Sequence, residues 1–148
     1  MKLRSSDGAR LLTLTTPDAA TGLAFDGANI WIANPHQHSV TKLRARDGVK
    51  LGSFNVGLSP GLGLAFDGAN IWVSNSFDNT ITKLRASDGA NLGTFPTGVT
   101  PSGVAFDGEN VWVANTGSNS LTKLRTATVP ISARFLPDRR HASWPLMA

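Results

Sequence analysis

Cysteine is absent from this 148-residue sequence, which removes disulfides, thiolate metal sites and cysteine nucleophiles together. It does not fix the compartment, because many exported proteins also lack cysteine. Long hydrophobic runs are missing as well: no stretch approaches the roughly 18 consecutive apolar residues that a spanning helix needs. The first residues, Met1 to Arg10, carry basic side chains but neither an apolar run nor a small-residue cleavage site, so they do not read as a secretory signal. Negative charge is scarce, with 10 Asp and Glu against 14 Lys and Arg and a net charge of +4. Most of those acids are committed to turns: Asp7, Asp26, Asp47, Asp67, Asp88 and Asp107 all precede glycine, where a short carboxylate caps backbone amides. Asp18, Asp78, Glu109 and Asp138 remain, too few and too scattered for an evident general acid–base pair.

What is present is repetition. Lys-Leu-Arg begins at Lys2, Lys42, Lys83 and Lys123, and Ala-Phe-Asp-Gly begins at Ala24, Ala65 and Ala105, so both markers recur every 40 or 41 residues. The step from the Asp of the second marker to the following Lys is 16 residues in each copy. The extra residue of the middle copy therefore falls elsewhere, near Ser59-Pro60-Gly61, which reads as a loop. With 41% hydrophobic and 16% charged residues, the chain has the composition of a folded domain.

Each unit resolves into four β-forming runs. In the middle copy these are 63–66, 70–75, 80–85 and 90–95, separated by Asp67-Gly68, by 76–79 and by Asp88-Gly89. In the second run both alternating sets are apolar or small, Ile71 with Val73 and Trp72 with Ser74, which predicts a strand covered on both faces. Four-stranded antiparallel units of about 40 residues, stacked face to face, describe β-propeller blades. Dense Gly, Pro, Thr and Asn punctuation excludes an α-solenoid.

The segment Pro101 to Leu124, PSGVAFDGENVWVANTGSNSLTKL, resembles the blade repeat of YVTN and NHL-type propellers, and the blades of streptogramin B lyase-like propellers are similar. The resemblance covers residues 2 to about 125. It implies an all-β fold of propeller blades and a family whose members are often exported or periplasmic. It does not fix an activity, since this blade serves binding domains, extracellular repeat proteins and a few enzymes.

The blades are offset from the ends of the sequence. It opens in a third strand, contains two full blades and closes on the first three strands of another, so roughly three blade equivalents span residues 1–125. Closed propellers need four to eight blades. The chain is therefore expected to be a partial propeller, either a fragment of a larger one or one completed by self-association, in which two copies of three blades give a six-bladed ring. Residues 126–148 carry no repeat marker and differ in composition; they read as a non-repeat C-terminal tail of the kind a frame change or truncated gene would leave, with a capping segment as the alternative.

Candidate contact residues lie where the copies differ. The loops joining the second and third strands read His36-Gln37-His38, Phe77-Asp78-Asn79 and Ser118-Asn119 at their tips. They are expected on the rim that also carries the fourth-to-first connections, with Ala19, Pro60 and Pro101 adjoining and Asp18 and Asp78 opening onto the same end. This rim is the expected site for a protein or small ligand. Each of these residues is equally an ordinary solvated loop residue. Two histidines in one extended loop do not make a tetrahedral site, so no metal, cofactor or catalytic set is assigned.

Eight of the 14 basic residues belong to the Lys-Leu-Arg triplets, where they are expected to set regularly spaced positive charge near the outer edge, for solubility and edge protection. No aromatic stacking platform accompanies them, because Trp31, Trp72 and Trp112 read as core, and this disfavours nucleic acid. Asn34, Asn75 and Asn115 close the second strand in every copy and are expected to bond backbone groups at the start of each loop. The sequence thus reads as a propeller-repeat binding scaffold, with a fragment of a streptogramin B lyase-like enzyme as the alternative.

Overall fold

The computed structural model describes residues 1–16 and 19–126. The strands are short because Asp-Gly punctuation recurs, and every turn of this kind is built in one of two ways. Between first and second strands, Gly27, Gly68 and Gly108 take φ near 100° (98°, 99° and 101°), and between third and fourth strands Gly8, Gly48 and Gly89 take φ of 73°, 76° and 76°. Only glycine enters these conformations without strain.

Among the described residues four antiparallel sheets result. A two-stranded half-blade, β1 (Lys2–Leu3) and β2 (Arg10–Leu12), comes first. The first blade follows as β3 (Leu23–Phe25), β4 (Asn29–Asn34), β5 (Ser39–Arg44) and β6 (Lys50–Asn55). The second blade is β7 (Pro60–Phe66), β8 (Asn70–Asn75), β9 (Thr80–Arg85) and β10 (Asn91–Pro96). The third has three strands, β11 (Pro101–Phe106), β12 (Asn110–Asn115) and β13 (Ser120–Arg125). Within each sheet the strands pair in sequence order, as an up-and-down blade requires.

The second and third strands of the middle copy match the sequence reading residue for residue. The first strand does not: it begins at Pro60 rather than Gly63. Pro60 pairs with Asn75 and Leu64 with Val73, so four steps along β7 oppose two along β8. In the third blade Pro101 pairs with Asn115 and Val104 with Val113, three steps against two. The extra residue of the middle copy is thus absorbed in a widened bulge inside the strand, not in a loop. Pro60 and Pro101 sit at first strand positions, where a missing N–H is tolerated, and both are buried. Gly63 is required in this bulge, since a Cβ there would overlap the Ser102 carbonyl oxygen of the next blade.

Packing between blades builds the core. One cluster joins Trp31, Ala33 and Val40 of the first blade to Leu64, Ile71, Val73 and Leu84 of the second. Another joins Trp72 and Ile81 of the second blade to Val111 and Val113 of the third. Ile71, Trp72, Val73 and Ser74 are all buried, so β8 is covered on both faces as expected. In β12 Val111, Val113 and Asn115 are buried to that degree, while Trp112 and Ala114 are half-buried.

The Lys-Leu-Arg triplets correct one expectation. Trp31 lies directly across from Lys42, and Trp72 from Lys83, and each ammonium sits 5.1 Å from the indole centroid. From there it reaches into the next blade: Lys2 Nζ donates to the Ala45 carbonyl at 3.1 Å, Lys42 to Ala86 at 2.7 Å and Lys83 to Thr126 at 2.6 Å. The arginines pair with the turn acids at 2.8–2.9 Å, as Arg4–Asp7, Arg44–Asp47 and Arg85–Asp88. These charges hold blades and turns rather than forming a free basic ring.

Candidate functional site

The loops between second and third strands turn through residues in the left-handed region, His38 at φ 50°, Asn79 at 55° and Asn119 at 49°. Asn and His are among the side chains that enter it most readily. This geometry points the tips toward the connections between blades, Val56–Ser59 and Thr97–Thr100. Each connection is held from two sides. The Leu58 N–H donates to Asp78 Oδ2 at 2.6 Å, within the blade it enters, and the Ser59 N–H donates to His38 Nδ1 at 3.1 Å, in the blade it leaves. One repeat later the Val99 N–H donates to Ser118 Oγ at 3.0 Å and the Thr100 N–H to Asn79 Oδ1 at 2.9 Å.

The fourth-to-first connections and the loop tips therefore share one rim. His38, Asp78, Asn79 and Ser118 are brought together with these connections as hydrogen-bond acceptors. His36 and Gln37 are exposed on the short 3-10 turn Pro35–Gln37, Phe77 stands out at 79% exposure, and Asn119 is exposed on the third tip. Among the described residues no three His, Cys, Asp or Glu side chains converge on a metal-sized site. Asp18 lies outside the described residues.

The sequence reading passed over the connections themselves. Ser59 and Thr100 adopt φ of 49° and 52°, and both follow the same pattern, Gly57-Leu58-Ser59-Pro60 and Gly98-Val99-Thr100-Pro101. That Gly-apolar-hydroxyl-Pro repeat was the available signal. A Cβ on Gly57 would strike the Asn75 amide and Asp78 carboxylate, and one on Gly98 the Asn115 amide and Ser118 hydroxyl. The clamp thus sets Leu58, Phe77 and Val99 outward, and Leu62 in the bulge of β7 is also exposed.

Asn34, Asn75 and Asn115 are buried and bond side chains instead of the expected backbone groups. Asn75 Nδ2 donates to Thr80 Oγ1 at 3.1 Å and Thr82 Oγ1 at 2.9 Å. Asn34 and Asn115 make the same two bonds to the hydroxyls of β5 and β13. Each ties the loop entry to the third strand.

On the opposite end, each first hairpin is locked by its aspartate. The Asp107 carboxylate accepts from the Glu109 and Asn110 amides at 2.8 and 2.7 Å and from the Trp112 indole at 2.7 Å. The Asn110 amide, then the indole, hold its pKa down to about 2. At Asp67 burial opposes ionisation, yet the Trp72 indole and the Ala69 and Asn70 amides outweigh it and lower the pKa. Asp47 is held at about 2, chiefly by Arg44 and then by the Val49 amide. These acids are anchored scaffold groups without a proton to exchange near neutrality.

No family model matches the chain, and no curated protein matches it. Solved structures do. A hydrazine synthase of Kuenenia stuttgartiensis is similar at 24% identity and TM-score 0.67, over 79% of this chain and 36% of its own. A protein of unknown function from Desulfotomaculum acetoxidans is similar at 22% identity and TM-score 0.66, over 83% and 46%. BamB from Moraxella catarrhalis is similar at 16% identity and TM-score 0.58, over 70% and 30%. The chain spans less than half the length of each of these three. The likeness is one of fold, and with the stacked sheets it defines the class: an all-β chain of antiparallel propeller blades, a partial propeller.

Proposed function

We propose that the chain is a propeller-repeat scaffold of YVTN/NHL type that binds a protein or small ligand at its rim. The repeat region, residues 1–125, carries that role and the 126–148 tail does not. The supporting observation is the two-sided clamp, which holds exposed Phe77 and Leu58 on a short, fixed backbone. An exposed aromatic side chain on a rigid support loses little entropy on binding and is typical of interface anchors. The alternative, a fragment of a streptogramin B lyase-like enzyme, would need His36, His38 or Asp78 as reacting groups. Two of these, His38 and Asp78, already accept backbone hydrogen bonds at the clamp.

The test is selection of peptides from a random displayed library on the folded chain. Selected binders are expected to lose affinity on Phe77→Ala and on Leu58→Ser. Binders indifferent to both substitutions would end the rim reading, and opening of a cyclic depsipeptide by the chain would establish the enzyme instead.

A further inference from the structure

Each blade covers one face of the blade before it. Trp72, Ser74 and Ile81, on the face that the third blade covers, are at most 1% exposed. At the equivalent positions of the third blade stand Trp112, Ala114 and Leu121, and Leu121 is 68% exposed. Trp112 also lacks the ring that packs on its counterparts: Trp31 meets Phe54 at 5.5 Å and Trp72 meets Phe95 at 5.8 Å. Those phenylalanines come from fourth strands, and among the described residues the third sheet has none. Lys123 sits 5.0 Å over Trp112, yet among the described residues it finds no carbonyl like those bound by Lys2, Lys42 and Lys83.

The other end of the stack has the complementary deficiency. Among the described residues the half-blade β1–β2 supplies the end of a third strand and a fourth strand. Leu23 and Phe25 are consequently 65% and 56% exposed, whereas of their equivalents Leu64 is buried in the core between first and second blades and Phe66 is partly buried against it. A cavity of about 160 Å³ opens over Ile32 and Leu43 beside Leu14. Their equivalents, Val73 and Leu84, share a core cluster with Ala33 and Val40 of the preceding blade. Leu14 follows Lys2 at the same spacing of 12 residues as Phe54 follows Lys42 and Phe95 follows Lys83. It crowds Gly48 as Phe54 crowds Gly89. Leu14 is therefore the fourth-strand side chain that a Trp such as Trp112 packs against, already seated on a first blade.

We propose that a second copy of this chain completes the third blade by strand addition. Strand β13 of one copy pairs antiparallel with residues 10–15 of the other, in place of β1, and brings Trp112, Ala114 and Leu121 over Leu23, Phe25 and the cavity. The register follows from the complete blades. Val40 opposes Phe54 and Ile81 opposes Phe95, while Lys2 already opposes Leu12. Leu121 then opposes Leu14 and Lys123 opposes Leu12. Only the two-residue β1 is displaced, by a six-residue strand. Free edges and bare apolar faces favour this addition. Two copies, each with two complete blades and both parts of a shared one, close at six blades. The rim plays no part in this contact, so the two readings stand or fall separately.

The experiment uses the 148-residue chain. Light scattering across a dilution series, with circular dichroism on the same samples, is expected to give twice the 15.6 kDa protomer mass for a folded β protein. Because the sequence has no cysteine, a Leu14→Cys/Leu121→Cys variant carries one designed pair, and oxidation is expected to yield covalently joined copies. A Thr13→Cys/Leu121→Cys variant, one residue out of register and on the other face, should join poorly. A folded monomer overturns the proposal, as does equal joining in both registers, or aggregation without the Leu14–Leu121 link. A monomer whose β13 amides resist hydrogen exchange would assign that edge to its own chain and would also overturn it.

Discussion

The ammonium of Lys42 crosses from the first blade to the second, where it meets the Ala86 carbonyl at 2.7 Å while lying 5.1 Å over Trp31. Lys42 is only 8% exposed, so its charge is held by one strong bond, one weaker one to Ser87 at 3.5 Å, and an aromatic face. The same arrangement recurs between the second and third blades through Lys83. It ties neighbouring blades beside the apolar cluster to which Trp31 and Ala86 themselves belong.

Replacing Lys42 with Met keeps the stem and removes the charged donor. A hydrogen bond from a charged group contributes about 1.5–3 kcal/mol, and the Ala86 carbonyl would be left without it. Lys42→Met is expected to destabilise by about 1–3 kcal/mol in urea unfolding. Lys2→Met, at an exposed site, should cost less than about 0.5 kcal/mol. Equal effects would show that burial of the bond is irrelevant.

Period, turns and the middle strands were legible because Asp-Gly and alternating apolar residues act locally. The inward lysines were not read, although Trp31 and Lys42 lie opposite one another on adjacent strands, because strand alternation gives a face without saying what covers it. The clamp was hidden by its own residue types. His38 and Asn79 differ in identity but accept the same kind of amide, as do Asp78 and Ser118. Variation between copies looked like recognition where the hydrogen-bonding role is constant. The bulge in β7 was missed because a proline and two glycines look like a loop until their partners on β8 are known.

Thr100 is a β-branched residue at φ 52°, a conformation that costs such residues about 1–2 kcal/mol. Glycine removes that cost but adds about 0.4–1 kcal/mol of unfolded-chain entropy. The clamp uses the Thr100 amide and not its side chain. Its carbonyl likewise accepts from Thr116 whatever the side chain. Thr100→Gly is therefore expected to stabilise by up to about 1 kcal/mol, against the usual direction for a glycine substitution. A lower melting temperature would mean that the hydroxyl or methyl contributes more than the backbone strain.

Asp78 is exposed, but its carboxylate takes the Leu58 amide at 2.6 Å. Asp78→Ala removes that acceptor and is expected to cost about 1 kcal/mol. Asp78→Ser, which copies the residue at the equivalent position 118, should recover part of it. Hydrogen exchange at Leu58 is the direct reading: faster in the alanine variant and partly restored in the serine variant. No change at Leu58 in either would detach the tip from the connection.

Acid should unlock the turns in a defined window. Asp107 and Asp47 are both held at about 2 in the fold, below the roughly 3.9 of an unfolded aspartate. Folding favours their charged form, so their contribution is complete above about pH 4 and is lost as pH falls toward 2. Asp26 and Asp67 are lowered in the same direction, so their contribution is likewise lost as pH falls below the unfolded value. Melting temperature is expected to be flat from pH 7 to about 5 and to fall steeply below about 4. Asp107→Asn retains the side-chain oxygen for the amides but removes its titration, so its curve should start lower and fall less between about pH 4 and 2. A parallel curve for the variant would exclude Asp107 from the transition and leave the acid sensitivity to the Arg44–Asp47 and Arg85–Asp88 turns and the two remaining indole-bonded aspartates.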